Sequence, residues 1–267
     1  MLGKLIKHEF ESTGRLISLI LISLIIITPI TACYLKIRST SMLGGDNILL
    51  NTFEVLCVIA YVCAMIAAAA ATVIILLSRF YQSMVTKESY LTHTLPVKTS
   101  SLIISKTLVA CVWQIVSIIV MILSIFTFAY IMNDWTLSDL DWDMICNIYS
   151  EIGLDSSNVI FFAILLLTSL VVNYLKCYLA FALGHLFNNH PFAGFVIAYI
   201  VISIISSIIS SILSFGATFI TNVDIINTTN VSALSNAFFI FTIGLNVLFG
   251  AICYIGTVLL FKKKLNI

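Results

Sequence analysis

Histidine is the residue in this sequence best suited to bind a metal or to carry a proton, and two of the four histidines lie close together. His185 and His190 flank Asn188 and Asn189, and Pro191 follows immediately. A spacing of five residues does not bring two side chains to one face of a helix. A turn that leads into the next helix is therefore a better interpretation of this stretch than a metal site.

Motifs of membrane hydrolases and of nucleotide-binding proteins are absent from the sequence. The chain contains no HExxH zinc motif, no GxSxG nucleophile motif and no GxxxxGK[ST] phosphate-binding loop. Ion-coupled carriers need ionisable groups deep in the membrane, whereas Glu54 and Lys176 lie near the ends of their apolar runs. We therefore expect no catalytic residue, no metal ligand and no cofactor bound by this chain, and energy for any transport must come from a partner.

One polar pattern does stand out, because six serines recur at steps of three and four in a single Ile-rich run. They are Ser203, Ser206, Ser207, Ser210, Ser211 and Ser214. At about 100° per residue they form one stripe on a helix. Small hydroxyl side chains let helices approach closely, can line a polar pathway, or can bond back to their own helix. Close packing or contact with another subunit is the preferred interpretation, and a pathway comes second.

The overall composition indicates where such helices must lie. Apolar residues make up 61% of the 267 residues and charged residues only 9%, whereas soluble domains have roughly 45–50% and about 25%. So little polar surface cannot cover a globule of this size, and the excess apolar surface must face lipid. The net charge of +1 provides no basic field for nucleic acid.

Six runs are long and apolar enough to cross a bilayer, which takes roughly 20 residues. The predicted spans are residues 16–34, 53–77, 107–130, 158–181, 192–213 and 237–261. Each must be helical, because lipid offers no hydrogen-bond partner to a free peptide group. The predicted fold is an all-α integral membrane protein, with one transmembrane domain over residues 1–267 that contains six transmembrane helices.

Shorter elements are predicted between and before the spans. Residues 1–14 place apolar and charged side chains on opposite helical faces, which favours a helix in the membrane interface over a frayed tail. Pro29 predicts a kink in the first span. Residues 132–157 and 216–236 are predicted to be extracellular, and the second of these either stays outside or dips into the outer leaflet.

The distribution of basic residues predicts the orientation of the chain in the membrane. With the N-terminus in the cytoplasm, eleven of the thirteen Lys and Arg residues fall on inner segments, and only Lys36 and Arg38 fall outside. The predicted outer loop 132–157 contains six acidic residues and no basic one. We therefore expect both termini to lie in the cytoplasm.

A cytoplasmic helix is predicted between the second and third spans, over residues 79–96. No proline or glycine interrupts this stretch before Pro96, and side chains at helical intervals form a mixed aromatic and charged face. Such a face fits a groove of a soluble protein, and contact with lipid headgroups alone is the alternative. The predicted docking residues are Tyr81, Met84, Lys87, Glu88, Tyr90 and Leu91.

This segment resembles the coupling-helix region of the permease subunits of bacterial ATP-binding-cassette (ABC) exporters of the ABC-2 membrane-domain type. Ser89 departs from the pattern, because glycine is frequent there. Residues 2–10 and 13–15 resemble the N-terminal elbow helix of the same family. With six spans, both termini inside and a chain of this length, the resemblance extends over the whole chain. The residues that match the coupling-helix pattern are Arg79-Phe80-Tyr81, Glu88, Tyr90-Leu91 and Thr94-Leu95-Pro96-Val97.

The resemblance implies a permease in the bacterial cytoplasmic membrane that exports a peptide, a lantibiotic or an amphiphilic drug, a function associated with antimicrobial peptide resistance. It also implies a dimer with a second copy or a paralogue, and a separate ABC ATPase subunit that binds ATP and Mg and docks on the coupling helix. The chain itself would then not be an enzyme. The alternative is a polytopic membrane protein without transport activity, such as a lipid-modifying enzyme or the partner of a sensor.

Overall fold

A computed structural model describes residues 2–40, 48–84, 99–132, 156–185, 191–225 and 231–264 of the chain. The regular structure of these residues is entirely α-helical, and each helix contains a stretch long and apolar enough to cross a membrane. This confirms the prediction of an all-helical fold with six helices that could cross a membrane. The helices are α1 (Leu2–Thr40), α2 (Ile48–Met84), α3 (Thr99–Met132), α4 (Ser156–Gly184), α5 (Pro191–Ile225) and α6 (Val231–Lys264).

The helices extend beyond the predicted spans. α1 runs without a break from Leu2, so residues 2–14 form the first turns of a 39-residue helix, and their position in the membrane interface stays a prediction. α2 continues to Met84 and takes up the first part of the predicted coupling helix. Neither junction contains a proline, and an unbroken helix keeps its backbone hydrogen bonds satisfied as it passes from lipid to water.

The predicted outer segments differ in how much of them the structure describes. In the segment 216–236, α5 continues to Ile225 and α6 begins at Val231, so most of it is helical. Residues 133–155 of the other predicted outer loop lie outside the described residues, as do residues 85–96 of the predicted coupling helix. Pro29 lies inside α1 without ending it.

The chain forms two compact units. The first comprises Met1–Arg79 and Leu108–Asp141, and therefore contains α1, nearly all of α2 and most of α3. The second comprises Phe80–Thr107 and Trp142–Ile267, which adds the end of α2 and the start of α3 to α4, α5 and α6.

A chain of buried hydroxyl groups joins the three helices of the first unit. The Thr28 hydroxyl of α1 lies 2.7 Å from that of Ser124 in α3, which lies 2.8 Å from the Tyr61 hydroxyl of α2. Thr28 donates its own proton to the carbonyl oxygen of Leu24 at 2.8 Å. Thr28 must therefore accept from Ser124, and Ser124 must accept from Tyr61. All three hydroxyls are satisfied, as buried polar groups inside a membrane require.

The first turns of α1 pack on the other two helices of this unit. Phe10 stacks on Trp113 of α3, with 4.8 Å between the ring centroids. A side chain at Gly14 would meet the Trp113 ring at 2.9 Å, so only glycine allows this approach. The guanidinium of Arg79 in α2 donates to the Ser12 carbonyl oxygen at 3.0 Å. The first turns of α1 are thus held by packing and by a hydrogen bond.

In the second unit, α4 packs against both α5 and α6, which contact each other less extensively. Gly250 and Gly256 bring α6 close to α4, because a Cβ atom at either position would lie 3.0 Å from Val172 or 3.1 Å from Leu179. Small residues at helix contacts are typical of membrane proteins, where close van der Waals packing drives association.

Large apolar side chains cover the outward faces of the helices. Ile197 and Ile212 of α5 are 56% and 65% exposed, and Ile30 of α1 is 63% exposed. Soluble proteins rarely expose large contiguous apolar patches, whereas lipid solvates such faces at no cost. The exposure pattern therefore agrees with a multi-pass membrane protein.

Candidate functional site

The end of α2, where the predicted docking segment begins, is anchored in the second unit by one aromatic side chain. Phe80 is 1% exposed. Its ring stacks on Tyr178 with 3.7 Å between centroids, and lies 6.2 Å from the Phe181 ring and 6.3 Å from the Phe261 ring. Since Tyr178 and Phe181 belong to α4 and Phe261 to α6, a single residue of α2 contacts two other helices.

Two predicted docking residues, Tyr81 and Met84, belong to the same end of α2. Met84 is fully buried. Tyr81 is half-buried, and its ring lies 5.4 Å from that of Phe181. The structure places Met84 in the interior of the unit, where it anchors the segment instead of presenting a surface to a partner.

The other predicted docking residues, Lys87, Glu88, Tyr90 and Leu91, lie outside the described residues. Their contact with a partner stays a prediction. They follow Met84 by three to seven positions, so the segment that carries them starts from a buried, fixed point.

The aromatic contacts continue from α4 to α5. Phe181 stacks on Phe195 with 3.9 Å between ring centroids, and Phe195 lies 6.3 Å from Tyr199. A Cβ atom at Gly184 would lie only 2.6 Å from the backbone nitrogen of Phe195. The two helices therefore touch through their backbones at this end, which no residue larger than glycine permits.

The serine stripe on α5 divides into buried and exposed members. Ser206 is 6% exposed, whereas Ser207 and Ser211 are exposed in this chain. Ser214 donates to the carbonyl oxygen of Ser210 at 2.6 Å. This serine therefore bonds back to its own helix, as in the third interpretation of the stripe. The predicted roles of the stripe as a subunit contact or a pathway stay predictions.

Ser206 of α5 is joined to α4 by a hydrogen bond with the charged side chain of Lys176. It accepts a hydrogen bond from Nζ of Lys176 at 2.8 Å and donates its own proton to the Ser203 carbonyl oxygen at 3.0 Å. α5 runs from Pro191 to Ile225, so Ser206 lies near the middle of the helix. Lys176 itself is near the end of the apolar stretch of α4, as predicted, but its ammonium group reaches towards the centre of the span.

A second polar pair lies on the same two helices. The Tyr199 hydroxyl donates to Oδ1 of Asn173 at 3.2 Å. Asn173 precedes Lys176 by three positions and Tyr199 precedes Ser206 by seven, so both pairs lie on one side of the α4–α5 contact.

The described residues contain no group of three or more His, Cys, Asp or Glu side chains that could hold a metal ion. His185 lies exposed at the turn after α4, hydrogen-bonded through its backbone nitrogen to the Phe181 carbonyl oxygen at 3.1 Å, and His190 lies outside the described residues.

A cavity of about 350 Å³ opens in the first unit beside the hydroxyl chain and Pro29. Its lining is apolar except for hydroxyl groups, and the residues that form it are Ile25, Thr28, Pro29, Val120, Leu123, Ser124 and Thr127.

Comparisons of the chain with protein-family models, with curated proteins and with solved structures give no match. Its function must therefore be inferred from its residues and their geometry.

Proposed function

We propose that this chain is the membrane-spanning permease subunit of an ATP-driven ABC exporter, which moves a peptide, a lantibiotic or an amphiphilic drug outward across the bacterial cytoplasmic membrane. A separate ATPase subunit binds and hydrolyses ATP with Mg, and the permease pairs with a second copy or a paralogue. In this proposal both termini and residues 79–98 face the cytoplasm, as the distribution of basic residues favours.

One observation carries the proposal: the segment predicted to dock on the ATPase begins at residues packed between transmembrane helices. α2 is continuous up to Met84, which is fully buried, and Phe80 one turn earlier contacts both α4 and α6. The next of the predicted ATPase contacts after Met84 is Lys87, three residues later. Close-packed interiors transmit strain instead of absorbing it, so a displacement of the docked segment would reach α4 and α6. Conversion of ATPase motion into helix motion needs such a connection.

The residue before Phe80 supports the same role in the first unit. The Arg79 guanidinium donates to the Ser12 carbonyl oxygen at 3.0 Å, which ties the end of α2 to α1. Hydrogen bonds from charged donors are shorter and stronger than neutral ones. Arg79 and Phe80 both belong to the part of the sequence that resembles the coupling region of ABC exporters.

The test is purification of the tagged chain, in mild detergent, from the cells that naturally produce it. We expect an ATPase with a Walker A motif to co-purify and the complex to hydrolyse ATP in the presence of Mg. Glu88→Lys should reduce the amount of co-purified ATPase, because reversing a charge at an interface can cost several kcal/mol. Glu151→Lys is the matched control: it makes the same charge change in the predicted outer loop, and should leave co-purification at the native level.

Two outcomes would contradict the proposal. Absence of any Walker A protein from the purified native complex would remove the exporter function itself. Native amounts of ATPase with Glu88→Lys, Tyr90→Ala and Leu91→Asp alike, together with native ATP hydrolysis, would show that residues 79–96 do not form the docking site.

A further inference from the structure

Lys176 brings a positive charge into a part of the membrane-spanning region that contains no negative charge. The predicted spans in α4, α5 and α6, residues 158–181, 192–213 and 237–261, contain no Asp or Glu. Within the described residues, no carboxylate forms an ion pair with Lys176. Ionisable groups inside a membrane are rare and functional by default, and they need a polar partner.

The depth of the ammonium group follows from its hydrogen bond to Ser206. Ser206 lies fourteen residues after Phe192 and nineteen before Ile225, where α5 ends, which is about 21 Å and about 28 Å along a helix that rises 1.5 Å per residue. The hydrocarbon core of a bilayer is about 30 Å thick, so the ammonium group lies well inside it. Lysines near the end of a span usually extend towards the headgroups instead.

The hydrogen bonds made by Lys176 leave it able to bind a ligand. Ser206 accepts one ammonium proton and donates its own hydroxyl proton to Ser203, so the serine orients the lysine without neutralising it. Lys176 is half-buried, and one side of it remains open. An ammonium group has three protons and no acceptor, so the complementary ligand group is an anion.

The neighbouring polar pair supplies donors of the same kind. Asn173 is exposed and its Oδ1 atom is occupied by the Tyr199 hydroxyl, so its amide NH₂ group is the part that can contact a ligand. Asn173 and Lys176 are three positions apart on α4, which places them on neighbouring parts of one helix face. Both present hydrogen-bond donors, in a setting that is otherwise apolar.

We propose that Lys176, positioned by Ser206, binds the carboxylate or phosphate group of an amphiphile whose apolar tail lies against α4 and α5. Lipid phosphates at rest lie in the headgroup region, outside the hydrocarbon core that the ammonium group occupies, so the ligand is a molecule drawn into the membrane. Its identification as cargo rests on the proposed exporter function, and it narrows that cargo to anionic amphiphiles.

The test measures binding to the purified chain in nanodiscs of neutral phosphatidylcholine. Three photoactivatable probes share one alkyl tail and end in a carboxylate, a phosphate or a methyl ester, and mass spectrometry quantifies their crosslinks to peptides of α4 and α5. We expect the two anionic probes to label these peptides more than the ester does. Lys176→Met should lower the ratio of anionic to ester labelling about tenfold or more, as expected for loss of a charge-assisted hydrogen bond.

Two further variants separate charge from packing. Lys176→Arg should keep the ratio, because it retains the positive charge, and Lys262→Met should keep it because it removes a lysine at the end of α6. If only the carboxylate or only the phosphate probe responds, the anionic group of the ligand is identified. An unchanged ratio in Lys176→Met, or equal labelling of the native chain by all three probes, would overturn the proposal.

Because this assay needs neither ATPase nor transport, it tests the binding site separately from the proposed function. Selective labelling without any co-purifying ATPase would retain the site and refute the exporter. Labelling that does not depend on Lys176, in a chain that does co-purify with an ATPase, would refute the site and retain the exporter.

Discussion

Phe80→Ala tests whether the aromatic contacts hold the end of α2 in the second unit. The ring is 1% exposed and contacts the rings of Tyr178, Phe181 and Phe261. Each aromatic pair contributes about 0.5–1.5 kcal/mol beyond area burial, so the three contacts amount to about 1.5–4.5 kcal/mol. Phe→Ala changes in soluble cores cost about 3–5 kcal/mol, but part of that is transfer from water. In a membrane, lipid also solvates the ring when the helices separate. We therefore expect a loss of about 2–4 kcal/mol.

The measurement is reversible unfolding of the purified chain in mixed micelles, with increasing mole fraction of a denaturing detergent. Phe162→Ala is the matched control, because Phe162 is 51% exposed on α4 and faces outward in this chain. Its free energy of unfolding should change by no more than about 0.5 kcal/mol, as for most surface substitutions. Phe80→Leu should fall between the native chain and Phe80→Ala, since it retains apolar volume but no ring.

Equal changes for Phe80→Ala and Phe162→Ala would refute the reasoning, because they would show that the Phe80 ring has no packing role beyond that of a lipid-facing ring. A large loss with Phe80→Leu as well as with Phe80→Ala would indicate that the ring stacking itself, and not apolar volume, stabilises the contact.

Two further predictions concern a helix contact and the orientation of the chain. Gly184→Ala should destabilise the chain in the same unfolding assay, because its Cβ atom would lie 2.6 Å from the Phe195 backbone nitrogen, while Gly244→Ala, with nothing within 4 Å, should be tolerated; equal stability of the two variants would contradict the close approach. In a chain without its natural cysteines, Ser138→Cys should react with a membrane-impermeant reagent in intact cells and Ser101→Cys should not, whereas the reverse pattern would overturn the predicted orientation.

The number and type of elements could be predicted because lipid imposes a length and a composition on every span. The ends of the helices could not, because apolar composition marks the part of a helix in lipid and not the helix itself. α1 begins at Leu2 and α2 continues to Met84, both beyond the apolar runs, because no proline stops them. The sequence therefore divided each of these continuous helices into a span and a separate short element.

Contacts between distant positions left little signal in the sequence. Thr28 and Ser124 are 96 positions apart and Tyr61 and Ser124 are 63 apart, and a single sequence does not show which spans pack against each other. In the sequence, Phe80 stood out only as part of the stretch that resembles the coupling-helix region. That resemblance did not predict its contacts with α4 and α6. The sequence assigned the serine stripe to one face of α5. Which of its serines are buried, as Ser206 is, and which are exposed, as Ser207 is, depends on how α5 packs against α4.

The position of Lys176 shows that counting residues from the end of a span is not sufficient to predict how deep a charged group lies in the membrane. Lys106 lies seven residues after Thr99, where α3 begins, and Lys176 lies eight residues before Gly184, where α4 ends. Side chains on a helix lean towards its N-terminus. For Lys106 this direction leads to the near end of the span, whereas for Lys176 it leads into the span, where the bond to Ser206 is found. The direction of the chain therefore decides whether a lysine near one end of a helix leans out of the span or into it, and for Lys176 it leans in, towards the anion site proposed above.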